Sequence, residues 1–220
     1  MEIQDRLSIS NSQYPITNIQ YPITNNQYPI STIYIGGGTP STLQVEHLRA
    51  IVEAIRREAK GERQEITLEA NPGDITQEKA RAWREMGINR LSIGLQSAHE
   101  NELKALGRLH TFETFVACFA DARAAGFDNI SVDVMSGIPH QTPESRMGTL
   151  QKVLALSPEH ISSYDPIIEE GTPFARRIDT LQLPDEDAAR QMYLEGVEFL
   201  AQNGYRQYEI SNFARPGYES

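Results

Sequence analysis

Three consecutive glycines close an apolar run. Ile33, Tyr34 and Ile35 lead into Gly36, Gly37 and Gly38, with Thr39 and Pro40 following. Lacking a Cβ, glycine lets backbone N–H groups approach a ligand closely. Strand, glycine turn and helix in succession is where α/β proteins hold small charged groups; the plainer alternative is a tight turn with no ligand. The spacing is not GxGxxG and no GK[ST] follows, so dinucleotide and P-loop readings are weak. Further polar residues stand in or at the ends of other strand-like runs: Glu69, Gln96 and Asp133. A carboxylate set among Val132, Val134 and Met135 is costly unless paired or ligand-bound. Glu69 alone could be a solvated strand end, and Gln96 could bond its local backbone. Together they point to a polar small-molecule site. Arg108 suits a carboxylate, because its guanidinium matches that group in bidentate geometry; a surface arginine is the other reading. His110 could act as a base or ligand, or simply begin a helix in water. His47, His99, His140 and His160 lack metal-ligand spacing. Cys118, within a helical pattern, reads as structural, with no histidine or helix N-terminus evident to activate it.

These residues need elements to hold them. Leu48, Ile51, Val52 and Ile55 recur at i, i+3, i+4 and i+7, which predicts a helix over 42–60 with one buried stripe. Residues 65–70 alternate as a strand and are broken by Asn71, Pro72 and Gly73. A helix follows over 76–86, with Thr76 as N-cap and Gly87 past its end. Strands are expected at 90–96, 129–135 and 160–164, and helices at 100–106, 111–125, 143–156 and 184–203. Five strands alternating with helices mean parallel βαβ units, an α/β fold. The unit lengths suit part of a (β/α) barrel, whose active site lies at the carboxyl ends of the strands. With strands left over at both ends, exposed edges are expected.

The chain has 220 residues, 39% of them apolar, enough for a core. Its net charge of −10 argues against a nucleic-acid partner, since phosphate binding needs a basic face. One cysteine permits neither a disulfide nor a cysteine metal cluster within this chain. No apolar run approaches a membrane span, and residues 1–31 contain no apolar signal core. Cytoplasmic residence is therefore the default expectation. Residues 8–31 hold a seven-residue repeat, Gln-Tyr-Pro-Ile-Thr/Ser, at Gln13, Gln20 and Gln27. A proline in each unit excludes a coiled coil. The segment is uncharged and reads as extended or disordered, and it looks foreign to the fold, like translated repetitive DNA. The expected organisation is a disordered segment 1–31 and a barrel domain 32–220.

The ordered set of motifs at 33–40, 68–73, 89–97, 106–110, 133–139 and 208–214 resembles the radical S-adenosylmethionine (SAM) proteins of the oxygen-independent coproporphyrinogen III oxidase family. The last motif resembles the HemW heme-chaperone branch of that family. The resemblance covers about residues 33–220. It implies a partial radical SAM, TIM-like barrel with SAM at its top. Gly37, Gly38 and Thr39 would meet the methionyl end, Glu69 the ribose, Gln96 and Asp133 the nucleoside region, and Arg108 the SAM carboxylate. The family's 4Fe-4S cluster is held by a CxxxCxxC loop after the first barrel strand. Here the repeat stands in that place and the cysteines are absent. The chain is thus expected to behave as a truncated form that makes no adenosyl radical. The implied function is heme chaperoning in porphyrin metabolism, with heme and acceptor hemoproteins as partners. The alternative is radical-driven oxidation of coproporphyrinogen III, whose ligand would be a porphyrinogen.

Overall fold

The computed structural model describes residues 30–59, 64–166, 168–172 and 174–220. The repeat through residue 29 and residue 60, the last of the helix expected over 42–60, lie outside them. Seven strands form one sheet: β1 (Thr32–Ile35), β2 (Glu65–Ala70), β3 (Arg90–Gln96), β4 (Ile130–Met135), β5 (His160–Tyr164), β6 (Arg206–Gln207) and β7 (Asn212–Ala214). Its order is β1-β2-β3-β4-β5-β7-β6. The first five are parallel, joined by α1 (Val45–Glu58), α2 (Gln77–Glu85), α3 (Glu100–Ala105), α4 (Phe112–Ala124) and α5 (Pro143–Ala155). Helix α6 (Glu186–Gln202) follows β5. This is the α/β architecture expected.

Local chemistry explains the boundaries. The Thr76, Thr111, Thr142 and Asp185 side chains each accept a backbone N–H at the start of α2, α4, α5 and α6, satisfying donors that a helix start leaves open. Gly87, Gly126 and Gly204 follow α2, α4 and α6 with positive φ, as chain reversal there requires.

The central strand shows how sequence sorts the two faces. In β3, Leu91, Ile93 and Leu95 are fully buried against Trp83 of α2 and Phe115 of α4. Burying each such side chain contributes about 1.5–3 kcal/mol. The intervening Ser92, Gly94 and Gln96 face the other way and line a pocket. The two-residue period of a strand thus divides core from site.

Three features differ from expectation. The chain after Thr39 makes only a short 3-10 turn (Pro40–Thr42), and the α-helix begins at Val45. Ser41 is fully buried and donates to Asp74 Oδ2 at 2.7 Å while accepting from the Asn71 backbone at 3.2 Å. It ties the glycine turn to the end of β2. The predicted stripe of α1 is narrower than its spacing suggested: Leu48 and Val52 are buried, but Ile51 is 41% exposed. Among the described residues β1 pairs only with β2, so α1 has little sheet beneath that side. Finally, the β5 edge is covered. Strand β7 pairs with it antiparallel, and β6 pairs with β7. Both added strands are too short to display an alternation.

Candidate functional site

A pocket of about 180 Å³ opens at the carboxyl ends of the parallel strands. Gly38, Thr39, Glu69, Gln96, Arg108 and Asp133 all line it, together with Asn71, Ser92, Gly94 and Tyr164. Gly37 reaches it through its backbone, donating to Glu69 Oε2 at 3.2 Å. Residues spread over about a hundred positions of sequence therefore meet in one place.

The glycine turn is built around Glu69. A Cβ on Gly36 would lie 2.7 Å from the Glu69 carboxyl carbon, so only glycine lets that carboxylate sit against the turn. Gly37 and Gly38 have φ of 83° and 130°, conformations that side chains resist. Tyr34 Oη donates to Glu69 Oε1 at 2.8 Å. Burial first, and then this bond to a carboxylate, push the Tyr34 phenol well above its usual range.

Gln96 ends β3 in a strained state. Its φ is 69°, and the pairing of β3 with β4 shifts register between Gly94 and Gln96. A non-glycine residue at positive φ persists only where its surroundings hold it. Here Tyr164 Oη donates to Gln96 Oε1 at 3.3 Å. The amide folds back over Gly94, where a Cβ would lie 2.9 Å from Nε2. The bulge turns the amide into the pocket.

Asp133 is held by the neighbouring strand. Ser92 Oγ reaches both of its oxygens, at 3.0 and 3.2 Å. Burial pushes the Asp133 carboxyl above the usual carboxylate range, against the opposing pull of the Ser92 and Ser162 hydroxyls and Arg90; Glu69 adds to the rise. Arg108 Nη1 donates to Asn71 Oδ1 at 3.4 Å, and Asn71 Nδ2 lies 3.5 Å from Thr39 Oγ1. Among the described residues Arg108 makes no ion pair. Chemically, the pocket offers a guanidinium without an ion pair for a carboxylate, two carboxylates able to accept from hydroxyls, and an amide that can both donate and accept. That set suits a polar small molecule that carries a carboxylate and hydroxyls.

The other sequence candidates stand apart. His110 is half-buried and its Nε2 contacts the Leu95 carbonyl at 3.0 Å; burial lowers its basicity. It fixes the loop behind the pocket. Cys118 is buried on α4, bonded to the Pro72 carbonyl, with burial pushing its thiol up to about 11. It does not line the pocket. A 4Fe-4S cluster needs thiolate ligands, and this chain supplies one thiol, turned elsewhere. Among the described residues no group of three or more His, Cys, Asp or Glu is placed to hold a metal ion. The residues of this chain therefore do not fit such a cluster. Tyr34, Asn71, Ser92 and Tyr164 were missed as site residues. Tyr164 ends β5 just as Glu69 and Gln96 lie at their strand ends, and Ser92 shares a strand face with Gln96, so both signals were in the sequence.

A sequence profile of the radical SAM superfamily matches residues 21–153. The heme chaperone HemW of Lactococcus lactis is 40% identical over 192 residues, covering 86% of this chain and 51% of its own. The mitochondrial radical S-adenosyl methionine domain-containing protein 1 of Mus musculus is 41% identical over 189 residues, covering 84% of this chain and 43% of its own. The chain thus spans about half the length of the curated relatives it matches. Among solved structures, the coproporphyrinogen III oxidase HemN of Escherichia coli, a radical SAM enzyme, superposes with a TM-score of 0.76 at 28% identity, over 85% of this chain and 44% of that one. Methylornithine synthase shares the fold at a TM-score of 0.57 and 15% identity, over 77% of this chain and 47% of that one. No helix among the described residues is long and apolar enough to cross a membrane.

Proposed function

The chain belongs to the radical SAM superfamily, and from that premise we propose that its strand-end pocket binds S-adenosylmethionine and that the protein handles heme in the manner of HemW. The observation that carries the first part is the meeting of Glu69, Gln96, Arg108 and Asp133 with the glycine turn in one pocket. Arg108 would take the SAM carboxylate, and the turn at Gly37, Gly38 and Thr39 would receive the methionyl end. Glu69 would accept from the ribose hydroxyls, while Gln96 and Asp133 would line the nucleoside. When bound, SAM supplies a reactive sulfonium. This chain holds and orients it, and it lacks the thiolates that would hold a reducing cluster beside it. The chain is therefore a SAM-binding, heme-handling protein whose own residues supply no cluster for radical chemistry. The heme part rests on 38–40% identity to HemW from several bacteria.

The test is equilibrium binding of SAM and of heme to the same protein. SAM should bind with a calorimetric signal that Arg108→Met and Glu69→Gln weaken by about tenfold or more. Heme should give a saturable shift of its visible absorption band and pass to an added apo-hemoprotein. A folded chain that binds neither would overturn the reading. The 28% identity to coproporphyrinogen III oxidase favours a second reading, in which the ligand is a porphyrinogen. Binding of coproporphyrinogen III in preference to heme would support that one instead.

A further inference from the structure

A second cavity, of about 570 Å³, lies between the end of β5 and helix α6. Tyr164 lines both it and the strand-end pocket, so the two are neighbours across one side chain. Its wall is mainly apolar, with Met135, Met192, Val197 and Phe213, and into it comes the side chain of Arg146. Arg146 is 2% exposed. Its Nη2 donates to Ser163 Oγ at 2.6 Å, while Nε and Nη1 have no partner among the described residues.

A buried guanidinium with two unmatched donor atoms is costly. Among the described residues no protein group accepts from those two donors. The two carboxylates near enough to act on it are Asp165 and Glu102. Glu102 is already engaged by Ser97 Oγ and Ser145 Oγ, each at 2.5 Å, and by Gln141 Nε2 at 3.4 Å. Asp165 is exposed at the cavity wall and makes no ion pair with Arg146. Arg146 also sits in the first turns of α5 (Pro143–Ala155), where the helix dipole disfavours a cation. Burial lowers the Arg146 pKa to about 10, which leaves it charged at neutral pH. Charge, open donors and a positive helix end thus converge on one apolar cavity.

We propose that this cavity is a subsite for a carboxylate carried on a large apolar skeleton, with the Arg146 guanidinium as its countercharge and the Ser163 hydroxyl holding that guanidinium in place. Identifying that carboxylate with a porphyrin propionate rests on the heme reading above; the carboxylate subsite does not. The strand-end pocket, at about 180 Å³, is too small for a macrocycle, whereas the cavity beside it has room for one edge of a macrocycle.

The experiment varies the ligand before the protein. Wild-type chain is titrated with 1-naphthaleneacetate and its methyl ester, and separately with protoporphyrin IX and its dimethyl ester, by calorimetry and fluorescence. Each free acid should bind at least about tenfold more tightly than its ester. In Arg146→Lys and Arg146→Met the preference should shrink and vanish respectively. In a spectrum of arginine side-chain N–H groups, the Arg146 Nε signal should shift on adding naphthaleneacetate, a readout that needs only the wild-type protein. Acid preference with naphthaleneacetate but no binding of protoporphyrin IX would uphold the subsite and overturn the tetrapyrrole assignment. Equal binding of acids and esters, with an unmoved Arg146 signal, would overturn the subsite whether or not porphyrin binds.

Discussion

Replacing Gly36 by alanine separates the site from the fold. The Gly36 backbone is not in the positive-φ region, so alanine meets no backbone strain there. The added methyl would lie 2.7 Å from the Glu69 carboxyl carbon and 2.8 Å from each of its oxygens. The obstacle is the tip of a flexible side chain, so Glu69 swings away and the strands stay. In moving, it gives up the bonds from Tyr34 Oη at 2.8 Å and from Gly37 N at 3.2 Å. Both bonds are solvent-exposed, and two such bonds together contribute about 1–2 kcal/mol. For a domain of this size that lowers the melting temperature by about 2–8 °C. SAM binding should fall further, because the carboxylate meant for the ribose has left its place: about 10- to 100-fold, matching one or two lost hydrogen bonds to a charged group. Calorimetric titration with SAM and thermal unfolding of Gly36→Ala, alongside Glu69→Gln, measure the two effects. A folded Gly36→Ala that binds SAM within twofold of wild type would refute the role given to Glu69. A fall in melting temperature beyond 15 °C would show that Glu69 is part of the scaffold instead.

Gln96→Gly should be more stable than Gln96→Ala by about 1 kcal/mol in denaturant unfolding, because glycine accepts the φ of 69° without strain; both should lose SAM affinity. His160, 1% exposed between Ser131 Oγ and Tyr208 Oη at 2.8 Å each, is neutral in the fold, burial first and then Arg90 lowering its pKa to about 3. The unfolded chain binds that proton near the ordinary histidine value and the folded chain does not, so His160 stabilises above that value and the contribution is lost as pH falls toward 3. From pH 7 to 5 the loss is about 2 kcal/mol, read by urea unfolding, and His160→Gln should flatten the slope. Asp133 acts with the opposite sign, since its raised carboxyl pKa favours the folded state when protonated, so its contribution fades as pH rises. Anaerobic treatment of the chain with iron, sulfide, reductant and SAM should yield no 5′-deoxyadenosine, because one buried thiol cannot assemble the cluster; its formation above a protein-free control would overturn that reading.

The sequence by itself determined the elements. Alternation in β2 to β4, and signals such as the Thr76 cap and Gly87 past its helix, placed each parallel strand and most helix ends within a few residues, because those signals act over one or two turns of chain. It also marked Glu69, Gln96 and Asp133, since polar residues in or at the ends of strands are conspicuous against apolar runs, and Arg108, whose guanidinium suits a carboxylate. Only the tertiary structure decided what those residues touch. Gly36 serves the close approach of Glu69, thirty-three residues away, which no local rule expresses. The strain at Gln96 arises from register between β3 and β4. Strands β6 and β7 form because the β5 edge offers partners, a demand of the sheet and not of their own short sequences. Arg146 shows the limit most clearly. In sequence it is one arginine in a helix; its missing partners exist only once α5 packs and the Glu102 carboxylate has been taken by other donors.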